Sequence, residues 1–207
     1  MEYIDEIAIA YDFDGTLAKG NLPEHGLLPS LDIEPYDFWK LVKETTKQQD
    51  ADEVLVYMHL LLMKAKEKGV PITKELLNSY SGSIPYFKGV TEWFNRINSF
   101  AEGSKIRLSH FIISSGLSEI IEKCEISKYF EFIVASKYIY DRDGIAVGNG
   151  VGINYTTKTQ YLFRINKGIH NYYDNEGLNK WVKMEDRPFP FKKIIYIGDG
   201  DTDIPAM

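Results

Sequence analysis

Apolar residues in this chain gather in short runs that end in acidic or small polar residues, and between those runs they recur at helical spacing. Ile7-Ala-Ile-Ala-Tyr11 is such a run, and it stops at Asp12-Phe-Asp14-Gly15-Thr16. A short apolar stretch bounded by a Gly-containing loop predicts a buried strand with the acids on the loop leaving its end. Leu108 to Ile113, Phe132 to Ala135 and Lys193 to Ile197 predict further strands. Helices are predicted over Glu34–Gln48, with Phe38, Leu41, Val42 and Thr45 on one face, and from the capping signal Asp50-Ala-Asp-Glu53 to Lys68. Others are predicted over Thr73–Asn78, Thr91–Phe100, Leu117–Cys124 and Thr157–Asn166. The alternation Tyr138 to Val147 around Asp143-Gly144 predicts a β-hairpin projecting from the core.

Strands alternating with helices imply a doubly wound parallel sheet, an α/β Rossmann-like architecture. Residues 18–83 hold no convincing strand and read as an all-helical insert. Its hinges are Lys19-Gly20-Asn21 and Ser81-Gly82-Ser83-Ile84-Pro85. The expected organisation is an α/β core of residues 1–17 and 84–207 with a helical cap over 18–83.

With 24 basic and 30 acidic residues the chain carries a net charge of −6, which argues against nucleic acid or an anionic membrane as the main partner. Cys124 is the single cysteine, so no intramolecular disulfide can form. The greasiest window, Val54 to Met63, is far shorter than the roughly 20 residues a membrane helix needs. No basic segment followed by a long apolar run opens the chain. These features lead to the expectation of a soluble protein in a reducing, cytoplasmic setting.

Two carboxylates one residue apart, Asp12 and Asp14, repel each other at a strand end where water is partly excluded. Gly198-Asp199-Gly200-Asp201-Thr202-Asp203 repeats the theme after the last predicted strand. In open α/β sheets this is where ligands bind. A divalent cation such as Mg²⁺, which takes one or two carboxylates with water and substrate phosphate, relieves the repulsion. Asp12 with Asp199 suffices, and Asp203 is a further candidate. A calcium loop is excluded: Asp203 is followed by Ile204, and counting from Asp12 puts Pro23 where the loop needs Glu.

These pieces resemble the haloacid dehalogenase superfamily, in its phosphoserine phosphatase-like branch with a helical cap after the first strand. The matching motifs are Asp12-Phe-Asp14-Gly15-Thr16, Phe111-Ile-Ile-Ser114-Ser115-Gly116, Lys158 opening a helix, and Gly198 to Asp203, in the family's order. The resemblance implies a Mg²⁺-dependent phosphatase of small phosphomonoesters. Asp12 would be the nucleophile that forms an aspartyl phosphate, and Asp14 the general acid and base whose carbonyl also touches the metal. Ser114, Ser115, Gly116 and Lys158 would bind the phosphate. Asp12, Asp14, Asp199 and Asp203 would form the metal site. Lys167 is a rival for the lysine, but the family's lysine opens a helix. Asp14 disfavours dehalogenation, whose enzymes lack this second acid. A receiver domain is disfavoured because Phe132 to Ser136 offers no acceptor Asp. A phosphate-binding or phosphotransfer protein without efficient hydrolysis is the alternative.

Glu24, His25, Tyr57 and His59 are candidates to face the substrate, expected to be a small phosphorylated metabolite. The resemblance also implies that a C-terminal part of the core, a helix and a strand, is missing after Asp203, leaving the last strand as an exposed edge.

Overall fold

The computed structural model describes residues 3–207; residues 1 and 2 of the expected core lie outside them. The elements are β1 (Asp5–Tyr11), a single turn α1 (Leu27–Ser30), α2 (Pro35–Gln49), α3 (Glu53–Glu67), α4 (Lys74–Ser79), α5 (Val90–Gly103) and β2 (Ile106–Leu117). They continue as α6 (Ser118–Ile121), β3 (Phe130–Tyr140), β4 (Ala146–Val151), α7 (Tyr155–Lys167), α8 (Asn175–Asn179) and β5 (Ile194–Ile197). The sheet order is β4-β3-β2-β1-β5. β1 pairs parallel with β2 and with β5, and β2 pairs parallel with β3. β3 and β4 are antiparallel. The sheet is therefore mixed rather than purely parallel. The loop between β3 and β4 is too short for a crossover, so the chain can only return as a hairpin. Asp141 Oδ1 accepts from the main-chain N–H groups of Asp143 and Ile145, both at 2.9 Å, which fixes that turn.

Helix starts follow local capping chemistry. Asp52 Oδ1 accepts from Leu55 N at 3.0 Å, and Thr73 Oγ1 from Leu76 N at 3.1 Å. α7 begins two residues before the expected Thr157 because Asn154 closes a reciprocal capping box with Thr157. The usual signature has Glu or Gln at that third position, so Thr157 disguises it. The helix expected over Leu117–Cys124 shrinks to α6. β2 instead runs on through Ser114-Ser115-Gly116 with a register shift before Leu117 pairs with Ser136.

Alternation along β1 divides the core. Ile9 and Tyr11, with Phe13 beyond them, enter one apolar cluster with Val90 and Phe94 of α5. Ala8 and Ala10 face a second cluster with Tyr161, Leu162 and Ile165 of α7. Helices thus cover both faces. The first cluster also takes in Leu27, Phe38, Met58, Leu61 and Leu77, so the helical segment after β1 packs continuously onto that side. The hairpin grips α3: Tyr138 OH donates to Met58 O at 3.0 Å, and Asn149 Nδ2 donates to Leu55 O at 2.9 Å. Among the described residues no helix is long and apolar enough to cross a membrane.

A polar relay crosses the first cluster. Trp93 Nε1 donates to Tyr11 OH, which donates to His110 Nδ1, each at 3.0 Å; His110 Nε2 donates to Asn98 Oδ1 at 2.9 Å. Every member is satisfied only when His110 is neutral, because a proton on Nδ1 would face the Tyr11 hydroxyl with no acceptor behind it. Burial pushes the His110 pKa down to about 4. The unfolded chain therefore takes up a proton first as pH falls. The stabilisation is fully present above about pH 6.5, declines through the window from 6.5 to about 4, and is gone below it. Urea unfolding should show a loss of about 2 kcal/mol between pH 7 and pH 5 from this residue. His110→Gln, although less stable at pH 7, should lack that part of the slope; an equal slope in both proteins would exclude the relay as its source.

Candidate active site

β1 and β5 are neighbours in the sheet, and the chain departs from β1 toward β2 on one side while β5 closes the other. Their carboxyl ends form the point where the strand order reverses, the usual ligand crevice of an open α/β sheet. Asp12 N donates to Ile197 O at 2.9 Å, extending the pairing to the last residue before each acidic loop. Thr16 Oγ1 then donates to Asp199 Oδ1 at 2.8 Å, across a separation of 183 positions. Gly15 makes this approach possible. It sits at φ +82°, and a Cβ there would lie 2.7 Å from Asp199 Oδ1.

Asp12, Asp199 and Asp203 each offer a carboxylate oxygen within 4.8 Å of the others. Asp12 and Asp203 are buried, whereas Asp199 is exposed. Lys158, with 0% exposure, reaches from the first turn of α7 to Asp203 Oδ1 at 2.6 Å and to Asp12 Oδ1 at 3.0 Å. Asp203 also accepts from Tyr196 OH at 2.6 Å and from Gly200 N at 3.1 Å. Burial pushes the Asp12 pKa up to about 6 against the pull of Lys158. Burial also acts upward on Asp203, but the hydrogen bonds from Lys158 and Tyr196 outweigh it and hold that carboxyl below its ordinary value. Lys167, the rival lysine, lies at the other end of α7 and donates to the carbonyls of Leu178 and Lys180 at 2.5 and 2.7 Å.

Asp14 stands apart from the cluster of three acids. Its Oδ1 accepts from Leu22 N at 3.2 Å, and burial followed by the charge of Asp12 raises its pKa well above the ordinary carboxylate range. Gly116 lies against it, because a Cβ there would come within 2.8 Å of Asp14 Oδ2 and 3.3 Å of Ser114 Oγ. Ser114 is fully buried and its Oγ accepts from Gly116 N at 3.0 Å. These groups lie in the irregular end of β2, not at a helix start as the sequence suggested. The Ser115 hydroxyl donates to Ile153 O at 2.6 Å, and its carbonyl accepts from Tyr57 OH at 2.6 Å. Ser115 therefore offers the site main-chain groups rather than its side chain.

A cavity of about 190 Å³ opens beside Asp14 and Gly116, lined also by Asn21, Trp39, Glu53, Tyr57 and Tyr155. Tyr57 thus reaches the site, while Glu24 sits just behind it, accepting from Trp39 Nε1 and Asn21 Nδ2 at 2.6 Å each. His25 bonds the Lys19 carbonyl at 2.6 Å, and His59 lines a separate groove with Met63 and Ile145. Tyr196 and Trp39 were not singled out from the sequence, where nothing distinguishes them from ordinary strand and helix residues, and Thr16 was read only as part of the first motif, with no role of its own.

The donor set suits a hard divalent cation: three carboxylates face a single ammonium, and the exposed Asp199 leaves an approach from solvent. Lys158→Met would leave Asp12 and Asp203 buried without their counter-ion, at a cost of about 3 kcal/mol. Denaturant unfolding of Lys158→Met, Asp203→Asn and the double variant should show strong coupling, with the double variant well short of the sum. Simple additivity would mean that the pair does not act as a unit.

No family model matches the chain. It is 27% identical over 225 residues to an uncharacterized protein of Borreliella burgdorferi, covering 97% of this chain and 77% of that one. A HAD family hydrolase from Salmonella enterica serovar Typhi superposes with a TM-score of 0.61 at 15% identity, covering 99% of this chain and 59% of that one. A substrate-bound phosphoserine phosphatase superposes with a TM-score of 0.62 at 17% identity, covering 97% of this chain and 81% of that one. This chain thus spans less than two thirds of the Salmonella hydrolase's length. These superpositions show that the chain shares the α/β fold of the HAD family hydrolase and of the phosphoserine phosphatase.

Proposed function

We propose that this protein is a Mg²⁺-dependent phosphatase that hydrolyses a small phosphomonoester through an aspartyl phosphate on Asp12. The observation that carries this reading is the convergence of a buried carboxylate and ammonium, Asp12 and Lys158, with the separate Asp14–Ser114–Gly116 group. A phosphomonoester is anionic, so a carboxylate nucleophile needs positive charge and hydrogen-bond donors around the phosphoryl oxygens. Lys158 supplies the charge. The Ser114 hydroxyl and main-chain N–H groups around Gly116 supply donors. Asp12 attacks phosphorus as the ester P–O bond breaks, and Asp14 gives its proton to the departing alkoxide. Asp14 then takes a proton from the water that attacks the phosphorus of the aspartyl phosphate, which releases phosphate and restores Asp12.

Asp12 and Asp199 are the side chains most available to hold Mg²⁺, with the Asp14 carbonyl as a third ligand by family resemblance. When bound, the metal would offset the combined charge of phosphate and carboxylates. Both oxygens of Asp203 already accept hydrogen bonds within the protein, so its main work is to position Lys158. The helical segment of residues 18–83 serves as a cap over the site. The small cavity beneath it favours compact metabolites over nucleic acids or phosphoproteins.

With p-nitrophenyl phosphate as a generic ester, chelation by EDTA should stop turnover and added Mg²⁺ should restore it. Asp12→Asn should abolish both turnover and phosphoenzyme; wild-type rates in that variant would refute the mechanism. Asp14→Asn should lower turnover of alkyl phosphates by about 10² or more while an aryl ester, whose leaving group needs no proton, still labels Asp12. Equal losses with both esters would remove Asp14 from the role of acid.

A further inference from the structure

The leaving-group side of the cavity has a definite chemistry. Trp39 and Tyr57 pack edge to face there with ring centroids 5.7 Å apart, and Tyr155 stands at the rim, 48% exposed. Their polar atoms are committed where they are buried: Trp39 Nε1 to Glu24 and Tyr57 OH to the Ser115 carbonyl. What the two rings offer a ligand is therefore aromatic surface. The exposed Glu53, at the first turn of α3, lines the same cavity and makes no ion pair or side-chain hydrogen bond among the described residues. Behind Trp39 the half-buried Glu24 adds a second negative group. None of the residues lining this cavity is Lys, Arg or His.

We infer that the cavity selects a phosphomonoester whose alcohol part carries a cationic nitrogen and no carboxylate: a phosphorylated amino alcohol. The inference rests on the phosphatase reading above and adds the substrate class. A cation between aromatic faces and carboxylates is attracted by both. A carboxylate in the same place would meet Glu53 and Glu24 with no basic side chain to pair it, as specificity by repulsion requires. The phosphate, on the other side, meets Lys158. The site thus presents Lys158, and Mg²⁺ when bound, toward the phosphate, and carboxylates and aromatic rings toward the alcohol, the complement of a zwitterion.

The test uses Asp12→Asn protein with Mg²⁺, so that ligands bind without being consumed, and calorimetric titration with phosphocholine, phosphoethanolamine, glycerol 3-phosphate and O-phosphoserine. The cationic esters should bind about tenfold tighter than glycerol 3-phosphate, with O-phosphoserine weakest. Phosphocholine ahead of phosphoethanolamine assigns the larger share to the rings; the reverse assigns it to Glu53. Adding Glu53→Gln should cut the ratio of cationic to neutral affinity several-fold, and the single variant Glu53→Gln, with Asp12 intact, should show the ratio of kcat/KM values fall in parallel. O-phosphoserine or glycerol 3-phosphate binding as tightly as the cationic esters would overturn this inference while leaving the phosphatase reading intact. If none of the four binds while p-nitrophenyl phosphate is still turned over in an Asp12-dependent way, the inference also fails. No binding together with no turnover would overturn the phosphatase reading itself.

Discussion

Lys158 lies entirely out of water between Asp12 and Asp203, at 3.0 and 2.6 Å. Desolvating an ammonium and two carboxylates costs several kcal/mol per ion, and the cost is offset only if their geometry is good and the remaining valences are filled. They are filled here: Tyr196 and the Gly200 N–H complete Asp203. The arrangement unites three distant parts of the chain, the end of β1, the start of α7 and the loop after β5. A buried triad of this kind adds little net stability over an apolar core, but removing one member strands the others. What it does is hold a positive charge beside the Asp12 carboxylate.

The backbone makes this convergence possible before any side chain takes part. Parallel pairing of β1 with both β2 and β5 brings the ends of first and last strands together, and the alanines of β1 share an apolar cluster with α7 on one face. Gly15 and Gly116 leave the space that the Asp199 and Asp14 carboxylates fill. The two acids of the first motif then fall into different settings although only one residue separates them. Asp12 meets Lys158, while Asp14 turns toward Leu22 and the cavity. Two carboxylates one residue apart thus sit in different electrostatic settings, one paired with an ammonium and the other accepting from a main-chain N–H.

On the other side, α2 and α3 bring Trp39, Glu53 and Tyr57 over the mouth of the site. Tyr57 ties α3 directly to the end of β2 through the Ser115 carbonyl, and the hairpin strands hold α3 through Met58 and Leu55. The helical segment is thus coupled to the core at polar points beside the cavity as well as through apolar packing.

Much of this was legible in the order of residues. Short apolar runs and helical patterning located the strands and the long helices, and the caps Asp52 and Thr73 are short-range signals whose partners lie three residues away. The acids at Asp12 and Asp199 announced themselves by ending apolar runs. Sequence could not separate Lys158 from Lys167, since both lie on α7; only the fold turns one toward Asp12 and the other toward α8. Nor could it show that the Ser115 hydroxyl is spent on Ile153, or that Tyr196 braces Asp203. The antiparallel β4 was legible as a hairpin, yet its grip on α3 was not. Local elements follow from neighbours within a few residues, whose interactions every copy of the motif repeats. The site depends on contacts across the whole chain, and which side chains meet there is decided by strand order and helix packing.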